Sequence, residues 1–303
     1  MRALKHTVLL AALCCACVLH AQQEWQYSQY MFNLYDANGA FAGAYEQASF
    51  AARFRTQWVG VDGAPVSQTL SAHLPAGPVG VGIRLQHERL GARSRVLVKA
   101  TVAYPMRLGN GRLALALNGG IVREQWRTVE LSAKDPDETL LALGTPTATL
   151  PSVDFAAFYH TRSVFAGIEV THLNAGSAEP TTGNTYGLQR QAQAVVGTAI
   201  GINAQQALRP SAMLRWSAAG IVTGEVDVAW LWEDRLWLGA GYRLDFGLVG
   251  YAEYLITNTL RIGYAYDYAT GPLSQFQTGS HEVLIGWNLA TKATQNHSIR
   301  YFR

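Results

Sequence analysis

Gln57-Trp58-Val59-Gly60-Val61-Asp62-Gly63-Ala64-Pro65-Val66-Ser67-Gln68-Thr69-Leu70-Ser71-Ala72-His73 reads as the turn and second arm of a β-hairpin. Ahead of it, Phe50, Ala52, Phe54, Thr56 and Trp58 alternate with Arg53, Arg55 and Gln57. After it, Val66, Leu70, Ala72 and Leu74 alternate with Ser67, Thr69, Ser71 and His73. Between the runs stands Asp62-Gly63, a pair suited to a tight turn because glycine accepts positive φ. Strands with one greasy and one hydrophilic face fit a soluble sandwich, or a membrane barrel with a wet interior.

The rest of the chain favours the barrel. From residue 47 onward the period-2 pattern recurs. Val79, Val81, Ile83 and Leu85 interleave with Gly80, Gly82, Arg84 and Gln86. Val96, Val98, Ala100, Val102 and Tyr104 follow, then Leu113, Leu115, Leu117 and Ile121. Weaker runs lie near 151–160, 162–173, 188–202 and 206–218. The pattern sharpens again in Val226-Asp227-Val228-Ala229-Trp230, in 236–244, 247–256 and 260–268, and in Val283 to Leu289. This predicts an all-β fold, a transmembrane antiparallel β-barrel of about 14 strands, each roughly 9–13 residues long. Charged residues fall mainly opposite the apolar set, and Trp or Tyr stands near many strand ends, as interfacial girdles require. Gly109-Asn110-Gly111, Glu233-Asp234 and Thr257-Asn258 read as tight turns of one mouth. The polar stretches 129–150 and 174–187 read as long loops of the other.

Residues 1–21 carry the marks of a cleaved export signal: Arg2 and Lys5, an apolar Val8 to Leu19, and the small Ala21. A lipoprotein signal is the weaker reading, since Cys14-Cys15-Ala16-Cys17 lacks the leucine that acylation favours. All three cysteines leave with the signal, so disulfides, thiol catalysis and cysteine-held metals are not expected in the mature chain. Charged residues make up only 15% of the chain, below a soluble domain's usual share, and the net charge of +3 is scattered. No nucleic-acid footprint is visible. No apolar run after the signal is long enough for a spanning helix. The expected organisation is signal 1–21, an aromatic N-terminal arm 22–46, barrel 47–290 and tail 291–303.

The arm holds Trp25, Tyr27, Tyr30, Met31, Phe32, Tyr35 and Phe41 without clean alternation. Its aromatics either pack on or inside the body, which is the reading favoured here, or form a plug or docking segment at the periplasmic mouth. Chemistry-bearing patterns are scarce. His73, His87, His160, His172 and His281 lack ligand spacing and read as surface or lumen side chains. Gly80-Val81-Gly82 sits within a strand, where glycine eases curvature or crowding. No catalytic residue, cofactor or metal site is expected.

Three separated stretches carry a resemblance: Tyr27-Ser28-Gln29-Tyr30-Met31-Phe32-Asn33 with Ala42-Gly43; the Gln57 to His73 hairpin; and Tyr264-Ala265-Tyr266-Asp267-Tyr268 with Gly279-Ser280-His281-Glu282-Val283-Leu284-Ile285-Gly286-Trp287. Together they resemble the PorP/SprF family of Bacteroidetes outer-membrane proteins, from the first mature residues to about Asn288. The family usually carries Asn-Pro where this chain has Asn33-Leu34 and Asn38-Gly39, which leaves the arm's conformation open. The resemblance implies an outer-membrane barrel with a non-enzymatic role in type IX secretion. It also implies contact with periplasmic secretion lipoproteins and the outer-membrane translocon, and export or surface attachment of cargo such as gliding adhesins. Outer-membrane lipids are the other expected partner.

Candidate structural or docking residues are Tyr30, Phe32 and Asn33 in the arm, Trp58, Asp62, Gly63 and Pro65 in the hairpin, and Ser280, His281 and Glu282 near the end. Tyr30 and Phe32 are expected to help the arm dock on the periplasmic side. A passive porin or hydrophobic-solute transporter is the second reading, and an outer-membrane hydrolase a distant third.

Overall fold

The computed structural model describes residues 26–44, 47–128, 145–181, 184–218, 220 and 222–289. The expected signal 1–21, the tail 291–303 and most of the loop 129–150 lie outside the described residues.

Alternation produces strands along the whole body. The first seven are β1 (Ser49–Thr56), β2 (Val66–Ala76), β3 (Val79–Leu90), β4 (Arg93–Leu108), β5 (Gly111–Trp126), β6 (Thr147–His160) and β7 (Val164–Thr171). A small hairpin, β8 (Ser177–Thr181) and β9 (Asn184–Gly187), follows, then β10 (Gln191–Thr198) and the short β11 (Ile200–Asn203). The series ends with β12 (Gln206–Ser217), β13 (Val222–Trp232), β14 (Leu236–Arg243), β15 (Gly247–Leu255), β16 (Leu260–Ala269) and β17 (Ser280–Asn288).

Each body strand pairs antiparallel with its neighbours in order. The circuit shuts where β1 meets β17, Ser49 opposite Asn288 and Thr56 opposite His281. On the far side β10 pairs with both β7 and β12, while β11 only extends β10's line along β12. The wall therefore has 14 staves, as the alternation predicts. Closure removes the unpaired edges that hydrocarbon cannot hydrate.

Period 2 sorts the side chains. Phe54, Leu70, Ile83, Val102, Leu117, Val226 and Ile285 point outward and are exposed, forming the lipid face. Trp232, Tyr254 and Trp287 ring one end of the wall outside; Trp216, Tyr242 and Tyr268 ring the other. Arg53, Arg55, Arg84, Lys99, Asp154, Glu169, Asp267 and Glu282 point inward and are buried.

The two mouths differ. Ser49 and Asn288 open at the mouth whose connections are the short turns 77–78, 109–110, 161–163, 204–205, 233–235 and 256–259. The other mouth carries 57–65, 127–146, 172–190 and 270–279 beside three short turns. Short turns belong to the periplasm and long loops to the cell exterior, so the first mouth is periplasmic.

The long loop 172–190 is not simply polar coil. Its β8–β9 hairpin turns inward, burying Tyr186 and Leu188 against Leu97, Val122 and Leu150. Tyr186 also donates its hydroxyl to Glu124 at 2.9 Å.

The β1–β2 hairpin is present, but its turn is not the two-residue Asp62-Gly63 turn. Gln57 to Pro65 form an outer loop with two successive turns, Val61 N–H to Trp58 O at 3.1 Å and Ala64 N–H to Val61 O at 3.2 Å. The extra residues serve neighbouring loops. Val59 N–H reaches Gly279 O at 2.9 Å, and Gly63 O accepts Gly91 N–H at 2.8 Å. Gly63 does hold a positive φ of 73°, and a Cβ there would stand 3.2 Å from Gly91 Cα. Gly63→Val should therefore cost about 1–2 kcal/mol or more and lower the folded, heat-modifiable fraction on gels. Ala64→Ser should leave that fraction unchanged.

Candidate functional site in the barrel lumen

A 14-stranded wall encloses more space than its own side chains fill. The N-terminal arm occupies that space. Tyr27 to Ala42 are all buried, running through the lumen as a 3-10 turn (Tyr30–Phe32), one helical turn (Leu34–Ala37) and a second 3-10 turn (Gly39–Phe41). Among the described residues, the arm aromatics that lacked strand periodicity, from Tyr27 to Phe41, are thus interior packing. Side chains at helical and 3-10 spacing radiate to all sides of a narrow tube, which period-2 analysis cannot register.

Where the wall faces the arm's aromatics it is lined by small residues. Ala51, Ala103, Ala116, Ala156, Ala207, Ala229 and Ala265 point inward, leaving room for Phe32, Tyr35 and Phe41. Phe32 meets Tyr251 edge-on at 5.6 Å between centroids, and Phe41 meets Phe158 at 5.2 Å. The strand glycines serve the same fit: a Cβ on Gly82 would strike the Tyr35 ring, and one on Gly80 the backbone of Ala42.

Toward the outer mouth the contacts become ionic. Ser28 Oγ donates to Asp267 at 2.6 Å and accepts from Arg55 Nη1 at 2.8 Å and Arg243 Nη2 at 3.1 Å, which uses its full capacity. The backbone N–H groups of Ser28 and Gln29 donate to the two oxygens of Glu282 at 2.9 and 3.1 Å. Arg55 Nη2 lies 2.5 Å from Asp267, Arg243 Nε 2.6 Å from Glu225, and Arg53 Nη1 2.9 Å from Asp36 of the arm. Three guanidinium groups and four carboxylates thus share one buried cluster. Tyr27 stacks under Arg53, whose Cζ is 4.0 Å from the ring centre, and its hydroxyl bonds Thr69 and Gln86.

A second network holds the arm's other end. Glu169 accepts Gly39 N–H at 2.9 Å and Asn118 Nδ2 at 3.0 Å, and Thr101 links Asn118 to the Tyr35 hydroxyl. Nearby, Lys99 pairs with Asp154 at 2.7 Å. One interior cavity, of about 40 Å³, is lined by Tyr27, Asp36, Arg84, Gln86, Lys99 and Arg215 among others, room for little more than water. Among the described residues no group of three His, Asp or Glu is placed to hold a metal ion.

The sequence-derived site residues divide three ways. Tyr30, Phe32 and Asn33 are buried in the lumen: the Tyr30 hydroxyl donates to Asp227 at 2.8 Å and Asn33 Nδ2 to Ser71 at 3.0 Å. These arm side chains offer no surface to a periplasmic partner; their contacts are with the wall. Trp58, Asp62, Gly63 and Pro65 lie in the outer loop, where Trp58 N–H reaches Ser280 Oγ at 3.2 Å. Glu282 faces inward into the cluster, while His281, beside it on β17, faces outward and bonds the Tyr264 hydroxyl at 2.7 Å. The three stretches quoted for the family therefore meet in space.

Ser28, Arg53, Arg55, Arg243 and Asp267 are positions of this arm–wall cluster that sequence reasoning does not single out as site residues. The inward parity of the four charged ones is readable, but their convergence depends on barrel closure and on the arm. His73 is a lumen side chain, its Nδ1 accepting Gly43 N–H at 3.2 Å between Tyr35 and Phe41.

The two positions that depart from the family's Asn-Pro pattern also become legible. Asn33 and Asn38 each stand just before a short helical turn, so Leu34 and Gly39 occupy the first helical positions. Proline is well tolerated there, and these turns form without it. Gly39 nevertheless gives its N–H to Glu169, which proline lacks, and a Cβ there would run into the Asn118 amide. Leu34→Pro should keep the arm seated. Gly39→Pro should release it, read as new protease cleavage within the arm of purified barrel. Arg55→Leu leaves Asp267 with Arg243 and Glu282 with Arg53 but removes one buried cation from both, and should lower stability by roughly 3 kcal/mol, measured as a fall in the unfolding midpoint in detergent.

Comparison with known proteins agrees with this architecture. The family model for the type IX secretion system membrane protein PorP/SprF matches residues 19–287. No curated protein matches the chain. Among solved structures, the CymD monoaromatic hydrocarbon channel is similar at 11% identity, covering 88% of this chain and 93% of that one, with a TM-score of 0.52. The toluene transporter TodX of Pseudomonas putida (11% identity, 82% and 90% covered, TM-score 0.47) and the outer membrane protein Omp33 of Acinetobacter baumannii (10%, 80% and 99%, 0.46) are more distant. Identities this low speak to the barrel fold alone. With the family model spanning the arm and nearly the whole wall, the chain belongs to the PorP/SprF family of type IX secretion system membrane proteins and is an outer-membrane β-barrel.

Proposed function

We propose that this barrel is a non-enzymatic accessory of type IX secretion, supporting export or surface attachment of particular cargo proteins such as gliding adhesins. In this reading it also contacts the system's periplasmic components. The observation that carries the proposal is the filled lumen in a chain of this family. A passive porin needs a continuous aqueous path, whereas here the buried arm is bound to the wall on opposite sides, to Asp267 and Glu282 and to Glu169 and Thr101. An interior so occupied supports a scaffold that offers its ends to partners over a conduit for solutes.

Because Tyr30 and Phe32 are committed to the lumen, contact with periplasmic components falls to the turns 77–78, 109–110, 161–163, 204–205, 233–235 and 256–259. Cargo contact falls to the outer loops, where Phe276 is 70% exposed.

Deleting the gene should abolish surface display of one or a few proteins while unrelated type IX cargo is still exported. Proteomics of washed cells and culture medium reads this directly. Normal export of every cargo would remove the accessory role. Separately, the intact purified chain should be electrically silent in planar bilayers, whereas a chain lacking residues 26–43 should conduct. Steady conductance by the intact chain would restore the porin reading.

A further inference from the structure

The direction in which the arm crosses the lumen has a topological consequence. Its C-terminal end is at the periplasmic mouth: Gly43 donates its N–H to His73 and lies against Leu74, Pro75 and Gly80, beside the 77–78 turn. Its middle is at mid-height, with Tyr30 on Ser211 and Asp227 and Tyr35 on Thr101. Its N-terminal end is at the opposite mouth. Ser28 is held by Arg55, Arg243, Asp267 and Glu282, each within three residues of the outer end of its strand. Gln26 Nε2 donates to Thr223 Oγ1 at 3.1 Å, and Thr223 is the second residue of β13, counted from the outer mouth.

We propose that the arm traverses the whole barrel, so that the chain at Gln26 faces the cell surface although the barrel's first strand starts in the periplasm. Two independent features support it. The membrane orientation follows from loop lengths, with both barrel ends, Ser49 and Asn288, at the mouth of short turns. Ser28 and Gln29, two and three residues from the arm's outermost described residue, are among its most heavily bonded polar ones, so the far end is anchored in an ionic clamp. The β8–β9 hairpin does not obstruct this route, since it covers β4, β5 and β6 across the lumen from β13, β16 and β17.

The test uses the full chain in living cells. An epitope inserted between Trp25 and Gln26 should bind antibody on intact cells as strongly as one inserted at Asp62 in the outer loop. An epitope at Asn110 in a periplasmic turn should bind only after the outer membrane is opened. As a variant that adds no bulk, Gln26→Cys should react in intact cells with a PEG-maleimide too large for porins. The expected mature chain supplies no other thiol. Each variant is first shown to be folded by heat-modifiable gel mobility. Epitope binding ahead of Gln26, or labelling of the Gln26→Cys chain, that needs an opened outer membrane while the Asp62 epitope binds without it overturns the proposal.

Discussion

A closed wall of 14 strands sets a volume problem that the rest of this molecule answers. About eight strands can fill their own interior with side chains; a wall this wide cannot. The inward positions carry charges that water would ordinarily solvate, and burying them unpaired is costly. The arm resolves both difficulties. It supplies aromatic bulk where the wall offers alanine and glycine, and hydrogen-bonding groups where the wall offers Arg55, Arg243, Asp267 and Glu282. The wall charges in turn pair largely among themselves, with Asp36 the arm's single charged contribution among its described residues.

That division explains why the barrel is legible in the sequence while its contents are not. A strand announces itself locally, because every second residue meets lipid and the next meets the interior. Phe50 to Thr56 and Val283 to Trp287 show this without reference to anything else. The number of staves follows by counting. The arm has no such code. Tyr30, Tyr35 and Phe41 touch β4, β6 and β12 to β13, elements far away in sequence, and only their neighbours' small size betrays the fit. The glycines of β3 are the one visible hint, since glycine within a strand relieves crowding, and Tyr35 and Ala42 are what crowds them.

The outer loops show a related division. Asp62-Gly63 has turn chemistry, and Gly63 keeps the positive φ that chemistry implies. The hairpin length is nonetheless set elsewhere, by bonds from Val59 to Gly279 and from Gly63 to Gly91 that join three hairpins at their tips. Local propensity governs the conformation of one residue; tertiary hydrogen bonds govern how many residues surround it.

The ionic clamp straddles the seam where the first strand joins the last. Arg53 and Arg55 come from β1, Glu282 from β17 and Asp267 from the strand beside it, while Ser28 and Gln29 come from a segment made before any of them. Until the final strand is in place, Glu282 is missing and the arginines of β1 stand apart from Asp267, so the arm has little to grip at that end. Once the seam shuts with the arm absent, the same charges face one another across a void. Insertion order and plugging are thereby joined: the last step that makes the wall continuous is also the step that locks the oldest part of the chain inside it.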